Sequence, residues 1–141
     1  MRNRLIYLFL FLFSTVIIIQ SCQNEDSINY KRYYVNGKGL YEKNCQNCHG
    51  TDGKGLGTLY PPLTDSTYLI RNKNKIACII KNGQNEEIQI NNILYQGQMP
   101  GNNTLADIDI AQLIVYISNS FGNKQGFYDQ NQVGKDLTLC Q

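Results

Sequence analysis

The chain has 141 residues, the length of one domain, and a formal net charge of +2. Arg2 and Arg4 are the only charged residues among the first 21, so the remainder keeps 11 of the 13 Lys and Arg residues against 11 Asp and Glu. A neutral body lacks the concentrated basic face that binding to nucleic-acid phosphates requires. Nucleic acid is therefore excluded as an expected partner.

The N-terminal segment has the pattern of a secretory targeting signal. Two arginines precede an apolar run from Leu5 to Ile19, and these 15 residues are fewer than the roughly 20 that a membrane-spanning helix needs. We therefore predict a signal peptide over 1–21. The alternative is an uncleaved N-terminal anchor helix.

A cysteine follows this segment in a specific context. Ile19-Gln20-Ser21-Cys22 resembles the lipobox of bacterial lipoproteins, although Gln20 is not the commonest residue at its position. We predict that Cys22 carries a lipid anchor and that the polar residues 22–32 form a flexible tether. The rest of the chain would then be held on the periplasmic side of a bacterial membrane.

Cys45, Cys48 and His49 form a Cys-x-x-Cys-His motif, the signature of c-type haem attachment. Two thiols three positions apart add to the two vinyl groups of the porphyrin, and the next imidazole lies under the iron as a ligand. The spacing suits the last turn of a helix, because residues i and i+3 share a face. The sequence predicts this helix over 36–48, with Asn36 as its N-cap.

The same cysteine pair is found in two other kinds of site. A thioredoxin-like redox pair lies in a βαβ unit, and no such pattern surrounds Cys45 and Cys48. Half of a zinc site needs a second pair of ligands to complete its tetrahedral coordination, and His49 is the only histidine. The motif therefore predicts one covalently bound haem c, with His49 as an iron ligand.

Downstream of the motif, the pattern predicts short elements separated by turn signals. A glycine-rich loop at 50–59 is followed by helices at 65–71 and 72–82. A short β-hairpin with an Asn-Asn turn is predicted at 88–95. A mature chain of 120 residues buries only a modest core of its own, so a bound haem is expected to supply much of it.

Met99 is the only methionine besides the initiator, and it lies in the sequence Gly97-Gln98-Met99-Pro100-Gly101. This segment is predicted to be an irregular loop, from which a side chain can reach a metal. A methionine that only fills the core is expected on a periodic apolar element instead. We therefore predict Met99 as the second axial ligand, because a thioether suits haem iron and no second histidine exists. Such an iron has no open position.

The last long helix is predicted over 107–120, with an apolar stripe and two acids in its first turn. The residues 123–141 follow as a C-terminal extension. Of the five cysteines, Cys22 and the haem pair have assigned roles, which leaves Cys78 and Cys140. An even remainder in an exported protein usually pairs, so we predict a disulfide between them. Two free thiols are the alternative.

These features together resemble class I c-type cytochromes, in particular the small monohaem lipoprotein cytochromes of bacteria, over about residues 33–122. Gly37 and Tyr41 stand where that family places a glycine and an aromatic residue on its N-terminal helix. Leu113 and Tyr116 resemble the C-terminal helix positions that cross them. The resemblance implies an all-α class I cytochrome c fold around one haem, with the β-hairpin as an insertion before the methionine loop.

Pro61-Pro62-Leu63 resembles the family's Pro-x-Leu segment. The resemblance implies that the Pro61 carbonyl accepts the Nδ1–H of His49 and that Leu63 packs on the haem. The hairpin and the C-terminal extension depart from the simplest members of the family. Neither departure touches the predicted ligands.

The resemblance also implies a function, which is single-electron transfer rather than catalysis. The expected partners are redox proteins such as a quinol-oxidising complex, a terminal oxidase or a periplasmic dehydrogenase. Two alternatives are a dedicated haem subunit of a larger oxidoreductase and a haem sensor with an open iron position. Met99 disfavours the sensor.

Overall fold

The first helix, α1 (Arg2–Ser21), contains the apolar run of the N-terminal segment. The computed structural model describes residues 2–21 and 25–140, and within it the large apolar side chains from Leu5 to Phe13 are exposed. In those two ranges, no helix is both long enough and apolar enough to cross a membrane. Cys22, the predicted site of the lipid anchor, lies outside the described residues.

The second helix, α2 (Glu25–Asn44), begins earlier than the sequence pattern predicts. The part of the predicted flexible tether 22–32 that follows residue 24 is helical. The prediction that the helix starts at Asn36 is wrong, because Asn36 lies inside it. The cause is local: Glu25 and Asp26 complement the positive end of the helix dipole. No proline or glycine interrupts the first three turns.

A later helix, α6 (Asp107–Ile117), crosses α2 at Gly37 and forms the centre of the core. A Cβ atom on Gly37 would collide with the backbone carbonyl of Gln112 and with the Cβ of Tyr116. Glycine therefore allows the two helix backbones to touch. One turn further along α2, the ring centroid of Tyr41 lies 5.3 Å from that of Tyr116. The predicted crossing of the two helices is confirmed.

Between these two helices, the chain forms two short α-helices joined by a turn of 3-10 helix. The first begins where the Asp65 carboxylate accepts the backbone N–H of Tyr68 at 3.0 Å. The second ends at Gly83, whose φ of +88° favours glycine. Both predicted helices are confirmed to within a few residues. Their bounds are α4 (Ser66–Arg71), the 3-10 turn (Lys73–Lys75) and α5 (Ile76–Asn82).

The predicted hairpin is confirmed as an antiparallel pair of strands, β2 (Ile88–Ile90) and β3 (Ile93–Tyr95). Asn91 and Asn92 form its turn, with φ of 51° and 63°. A two-residue turn in which both φ values are positive matches the right-handed twist of a β-ribbon, and asparagine tolerates this conformation better than most residues. The hairpin contributes Ile90 and Tyr95 to the core.

A second β-ribbon was not predicted. It pairs β1 (Gly83–Gln84), directly after α5, with β4 (Met99–Pro100) in antiparallel register, so that Gln84 stands opposite Met99. The prediction that Met99 lies in an irregular loop is therefore wrong. Its paired residues are 15 and 17 positions apart in the chain, so the ribbon leaves no local periodic signal in the sequence.

The C-terminal extension packs against the preceding helices instead of trailing from them. Its helix, α7 (Gln130–Leu137), contacts both α5 and α6. Asp136 is only 3 % exposed, and its carboxylate accepts hydrogen bonds from the Tyr128 hydroxyl and the Gln132 side-chain amide. A disulfide joins Cys140 to Cys78 on α5.

Contacts between residues divide the chain into two compact units, Met1–Arg32 and Tyr33–Gln141. The C-terminal extension belongs to the second unit.

Candidate functional site

The Cys-x-x-Cys-His segment lies at a break between two helices. Cys45 follows α2 with a φ of −124° and is the N-cap of a single helical turn, α3 (Gln46–His49). Within this turn the backbone N–H groups of Cys48 and His49 both donate to the carbonyl of Cys45, at 3.2 and 3.0 Å. Gly50, with a φ of +79°, ends the turn. The two thiols are half-buried, and neither takes part in a disulfide within the described part of the chain.

His49 is 8 % exposed and is held from both sides by the loop that follows it. Its Nδ1 lies 3.0 Å from the carbonyl oxygen of Pro61, which is the contact that the resemblance implied. Because a carbonyl only accepts, Nδ1 carries the proton and Nε2 keeps a lone pair for a metal. The carbonyl of His49 accepts the N–H of Gly55 at 2.9 Å.

The protonation of the site is governed mainly by burial. Burial lowers the pKa of His49 below its ordinary value of 6.5, and the hydrogen bond with Pro61 acts in the opposite direction. Burial, followed by the nearby Cys48, raises the pKa of Cys45 to about 11. Both shifts favour the uncharged form at neutral pH. A neutral imidazole is the form that binds a metal.

An apolar cleft brings the motif and Met99 to one place. The cleft encloses about 1040 Å³ of space, part of which is open to solvent. Cys45, Cys48, His49 and Met99 all line it, and among the described residues no charged side chain does. Pro61 and Leu63 line it too. Other walls come from α4, α5, β2 and α6, through Leu69, Ile76, Ile80, Ile90, Leu113 and Ile117.

These residues fit a haem. Two thiols, an imidazole with a free Nε2 and a thioether face one apolar cleft, and this is the donor set of a His/Met-ligated c-type haem. Cys78 and Cys140 are bonded to each other and are not among the residues that line the cleft.

Met99 is supported by close backbone contacts where β1 and β4 meet the end of α5. A Cβ atom on Gly83 would collide with the carbonyl of Met99, and one on Gly101 would collide with the backbone at the end of α5. Next to them, the N–H of Asn102 donates to the carbonyl of Ile80 at 2.9 Å. The segment that carries the thioether is therefore fastened to α5, which is itself a wall of the cleft.

Three polar contacts around the site were not predicted. The Tyr41 hydroxyl donates to the carbonyl of Gly50 at 2.6 Å. Asn102 donates from its side chain to that of Asn44 at 3.2 Å, which connects the methionine segment to the end of α2. Asn123 donates to the carbonyl of Leu63 at 2.8 Å. Each contact either joins distant parts of the chain or is accepted by a backbone carbonyl. No sequence motif predicts contacts of these kinds.

A helical fold around an apolar cleft, with Cys-x-x-Cys-His on one wall, defines a haem protein of the c type. A family model described as Cytochrome c matches residues 34–121, which is more than half of the chain. The chain therefore belongs to the cytochrome c family. A search of curated proteins finds no match to it.

Membership of the family establishes the broad properties of the chain. Members bind haem c covalently, usually one per domain, and transfer electrons to and from redox partners. The chain is thus an electron-transfer haem protein, and its fold is the class I cytochrome c fold that the sequence predicted.

Proposed function

We propose that this chain is a membrane-tethered carrier of single electrons, with one haem bound through Cys45 and Cys48 and with His49 and Met99 as its axial ligands. The observation that carries the proposal is the uncharged cleft that these four side chains share. When bound, the haem supplies a one-electron couple between ferric and ferrous iron. With His49 and Met99 both bound to the iron, no open position would remain, which would suit electron transfer and disfavour the binding of small molecules.

The residues around the cleft adjust this couple. Apolar walls keep water and charge away from the site, which favours the redox state of lower charge and raises the potential. The Pro61 carbonyl acts in the other direction, because a hydrogen bond at Nδ1 makes the His49 imidazole a stronger electron donor. The backbone contacts at Gly83 and Gly101 hold Met99 in place, so the ligand needs little movement when the charge changes.

The axial assignment is tested by spectroscopy of the holoprotein. Ferric wild type should show the weak near-infrared charge-transfer band of methionine-ligated haem, and Met99→Ala should abolish it and lower the midpoint potential. Leu94→Ala is a matched control, because Leu94 is exposed on the hairpin and is not among the residues that line the cleft. A wild-type protein without the band would overturn the assignment.

The covalent attachment of one haem is tested by mass. One haem per chain should remain bound after unfolding in acid. Cys45→Ala and Cys48→Ala should each leave a single thioether link, which shifts the α band of the reduced pyridine complex. A haem that is extracted intact by acidified ketone would contradict covalent attachment.

The tether is proposed from the lipobox-like sequence that ends at Cys22. Cys22→Ser should keep the haem but move the protein from the membrane fraction to the soluble fraction. A variant that stays in the membrane fraction would favour the uncleaved anchor helix instead. The proposed partners are periplasmic redox proteins, namely a quinol-oxidising complex, a terminal oxidase or a dehydrogenase.

A further inference from the structure

The turn that follows α6, residues 118–123, reaches across the molecule to the loop that carries Pro61. Two of its side chains make the contact. The ring of Phe121 occupies the space where a Cβ atom of Gly53 would be, and the Asn123 amide reaches Leu63. This turn runs past the end of the segment matched by the cytochrome c model, at residue 121.

Asn123 is 2 % exposed, and its amide group connects two elements. Nδ2 donates one hydrogen bond to the carbonyl of Ile117, the last residue of α6, at 2.9 Å. It donates the other to the carbonyl of Leu63, 60 positions earlier in the chain, at 2.8 Å. An amide nitrogen has two protons, so both are used. The bond to Ile117 caps the C-terminal end of α6. The bond to Leu63 holds a loop that has no regular secondary structure.

The loop transmits this restraint toward His49. The N–H of Leu63 donates to the carbonyl of Gly53 at 2.7 Å, and Pro61, two positions before Leu63, accepts from His49 Nδ1 at 3.0 Å. Leu63, two positions after the carbonyl that orients the imidazole, is therefore held at both its N–H and its carbonyl.

The backbone conformation of Phe121 is a second indication that packing holds the turn 118–123 against the loop that carries Pro61. Its φ is +57°, a conformation that is rare for an aromatic residue and that persists only where the surroundings impose it. In this conformation its ring lies against Gly53 and beside the ring of Tyr41, with centroids 5.4 Å apart and ring planes tilted by 49°. The same backbone turn brings Asn123 under Leu63.

We propose that Asn123 is a positioning residue for the axial histidine, which it serves by holding the loop 61–63 so that the Pro61 carbonyl stays on His49 Nδ1. The inference rests on the proposed function, since the bond matters for redox chemistry only if His49 binds the iron. Loss of the Asn123 amide frees the Leu63 carbonyl, and the Pro61 carbonyl then moves away from the imidazole. The imidazole becomes a weaker electron donor, and ferric iron loses stabilisation relative to ferrous iron.

Asn123→Leu in the holoprotein tests the proposal, because leucine has a similar volume but no donor. Loss of about 1 kcal/mol from a hydrogen bond corresponds to an equilibrium change of about fivefold. Solvent exchange of the His49 Nδ1 proton, followed by NMR of the reduced protein, should therefore speed up by about fivefold. The midpoint potential should rise.

Asn119→Leu is the matched control. The Asn119 side chain also makes several bonds at the end of α6, to Val115, Gln125 and Gly126, but none to the loop 61–63. Asn119→Leu should destabilise the protein. It should change the rate of His49 Nδ1 exchange by less than twofold and leave the midpoint potential unshifted. Equal effects of the two variants on these readouts would overturn the proposal.

A measurement on the wild type decides the question even if Asn123→Leu does not fold. Scalar coupling across the hydrogen bond between Asn123 Nδ2 and the Leu63 carbonyl carbon should be detectable in the reduced protein, and its absence would overturn the proposal. Failure of the proposed function would look different. His49 ring protons without the large upfield shift of an iron-bound imidazole would remove the histidine ligand itself, and this inference with it.

Discussion

The crossing of α2 and α6 depends on the single hydrogen atom that is the side chain of Gly37. A methyl group there would collide with the Gln112 carbonyl and the Tyr116 Cβ. Gly37→Ala should therefore lower the free energy of unfolding of the holoprotein by about 1–3 kcal/mol, despite the better helix propensity of alanine. Guanidinium unfolding followed by circular dichroism measures the change.

Gly39 on the same helix is the matched control. A Cβ atom there meets no described atom within 4 Å. Gly39→Ala should therefore stabilise the protein by about 0.5–1 kcal/mol, because alanine restricts the unfolded chain more than glycine does. If both substitutions stabilise the protein, the two helices do not touch at Gly37.

Tyr128 couples the stability of the C-terminal extension to pH. Burial, followed by the hydrogen bond to Asp136, raises the pKa of Tyr128 above its ordinary value of 10.0. The folded state thus favours the protonated hydroxyl, and this contribution is complete below pH 10 and is lost as the pH rises through 10 toward the raised value. Tyr128→Phe removes the titration, so its stability should fall less steeply above pH 10 than that of wild type.

At pH 7 the same variant should lose about 1–3 kcal/mol, because the buried Asp136 carboxylate keeps only the Gln132 amide as a described partner. Urea unfolding midpoints at pH 7 and at pH 10.5 give both quantities, with urea chosen because it adds no salt. Parallel loss of stability in the two proteins above pH 10 would show that other tyrosines carry the alkaline transition.

How far single residues can be predicted depends on what fixes their spacing. The positions of Cys45, Cys48 and His49 are dictated by the distances between the atoms of one porphyrin, so the spacing survives as a readable motif. Met99 was identified because the only other thioether of the chain belongs to the initiator methionine. Asn123 has no such signal: asparagine is common in turns, and its role depends on a carbonyl 60 positions away.

At the scale of elements, the disulfide between Cys78 and Cys140 joins α5 to the end of the extension across 62 positions. Closing a loop of that length restricts the unfolded chain and stabilises the folded one by about 2–4 kcal/mol. Cys78→Ser and Cys140→Ser should each lose about this amount, and the double variant no more than either one. Hydrogen exchange should show the loss mainly in α7.

Thiol titration of the unfolded, unreduced holoprotein provides an independent check of this bond. Cys45 and Cys48 are expected to be linked to the haem, so they contribute no free thiol. If Cys78 and Cys140 form a disulfide, neither of them should react either. Two reactive thiols would contradict the disulfide. Additive losses in the double variant would show that the cysteines stabilise the fold separately.

Elements that are determined by residues close together in the sequence could be predicted. Elements that depend on contacts with distant parts of the chain could not. The hairpin at 88–95 follows from two asparagines between β-branched and aromatic residues, all within eight positions. The ribbon of β1 and β4 is two residues long on each side and forms because Gly83 and Gly101 allow α5 and the methionine segment to touch. Helix α7 has a polar sequence, and its burial depends on α5 and α6 rather than on its own pattern.

At the scale of the whole molecule, the core is built around the cleft. Ile76, Ile80, Leu113 and Ile117 belong to the buried apolar residues and also line the cleft. The haem therefore completes the core as well as providing the redox chemistry. The family model covers residues 34–121, and the extension that follows packs against α5 and α6 and adds a disulfide and a buried polar pair.

Without its haem, the chain lacks the group that fills its cleft. A chain of this length buries only a modest core of its own, and an empty cleft leaves apolar walls from four elements without a partner. The double variant Cys45→Ala, Cys48→Ala, purified free of haem, should therefore keep part of its far-ultraviolet helix signal. It should lose the near-ultraviolet signal of packed tyrosines and the cooperative thermal transition, and it should bind a dye that reports exposed apolar surface. The wild-type holoprotein, measured in parallel, should melt cooperatively. A native-like cooperative melt of the haem-free chain would show that the protein alone determines the positions of His49 and Met99, and that the haem enters a preformed site.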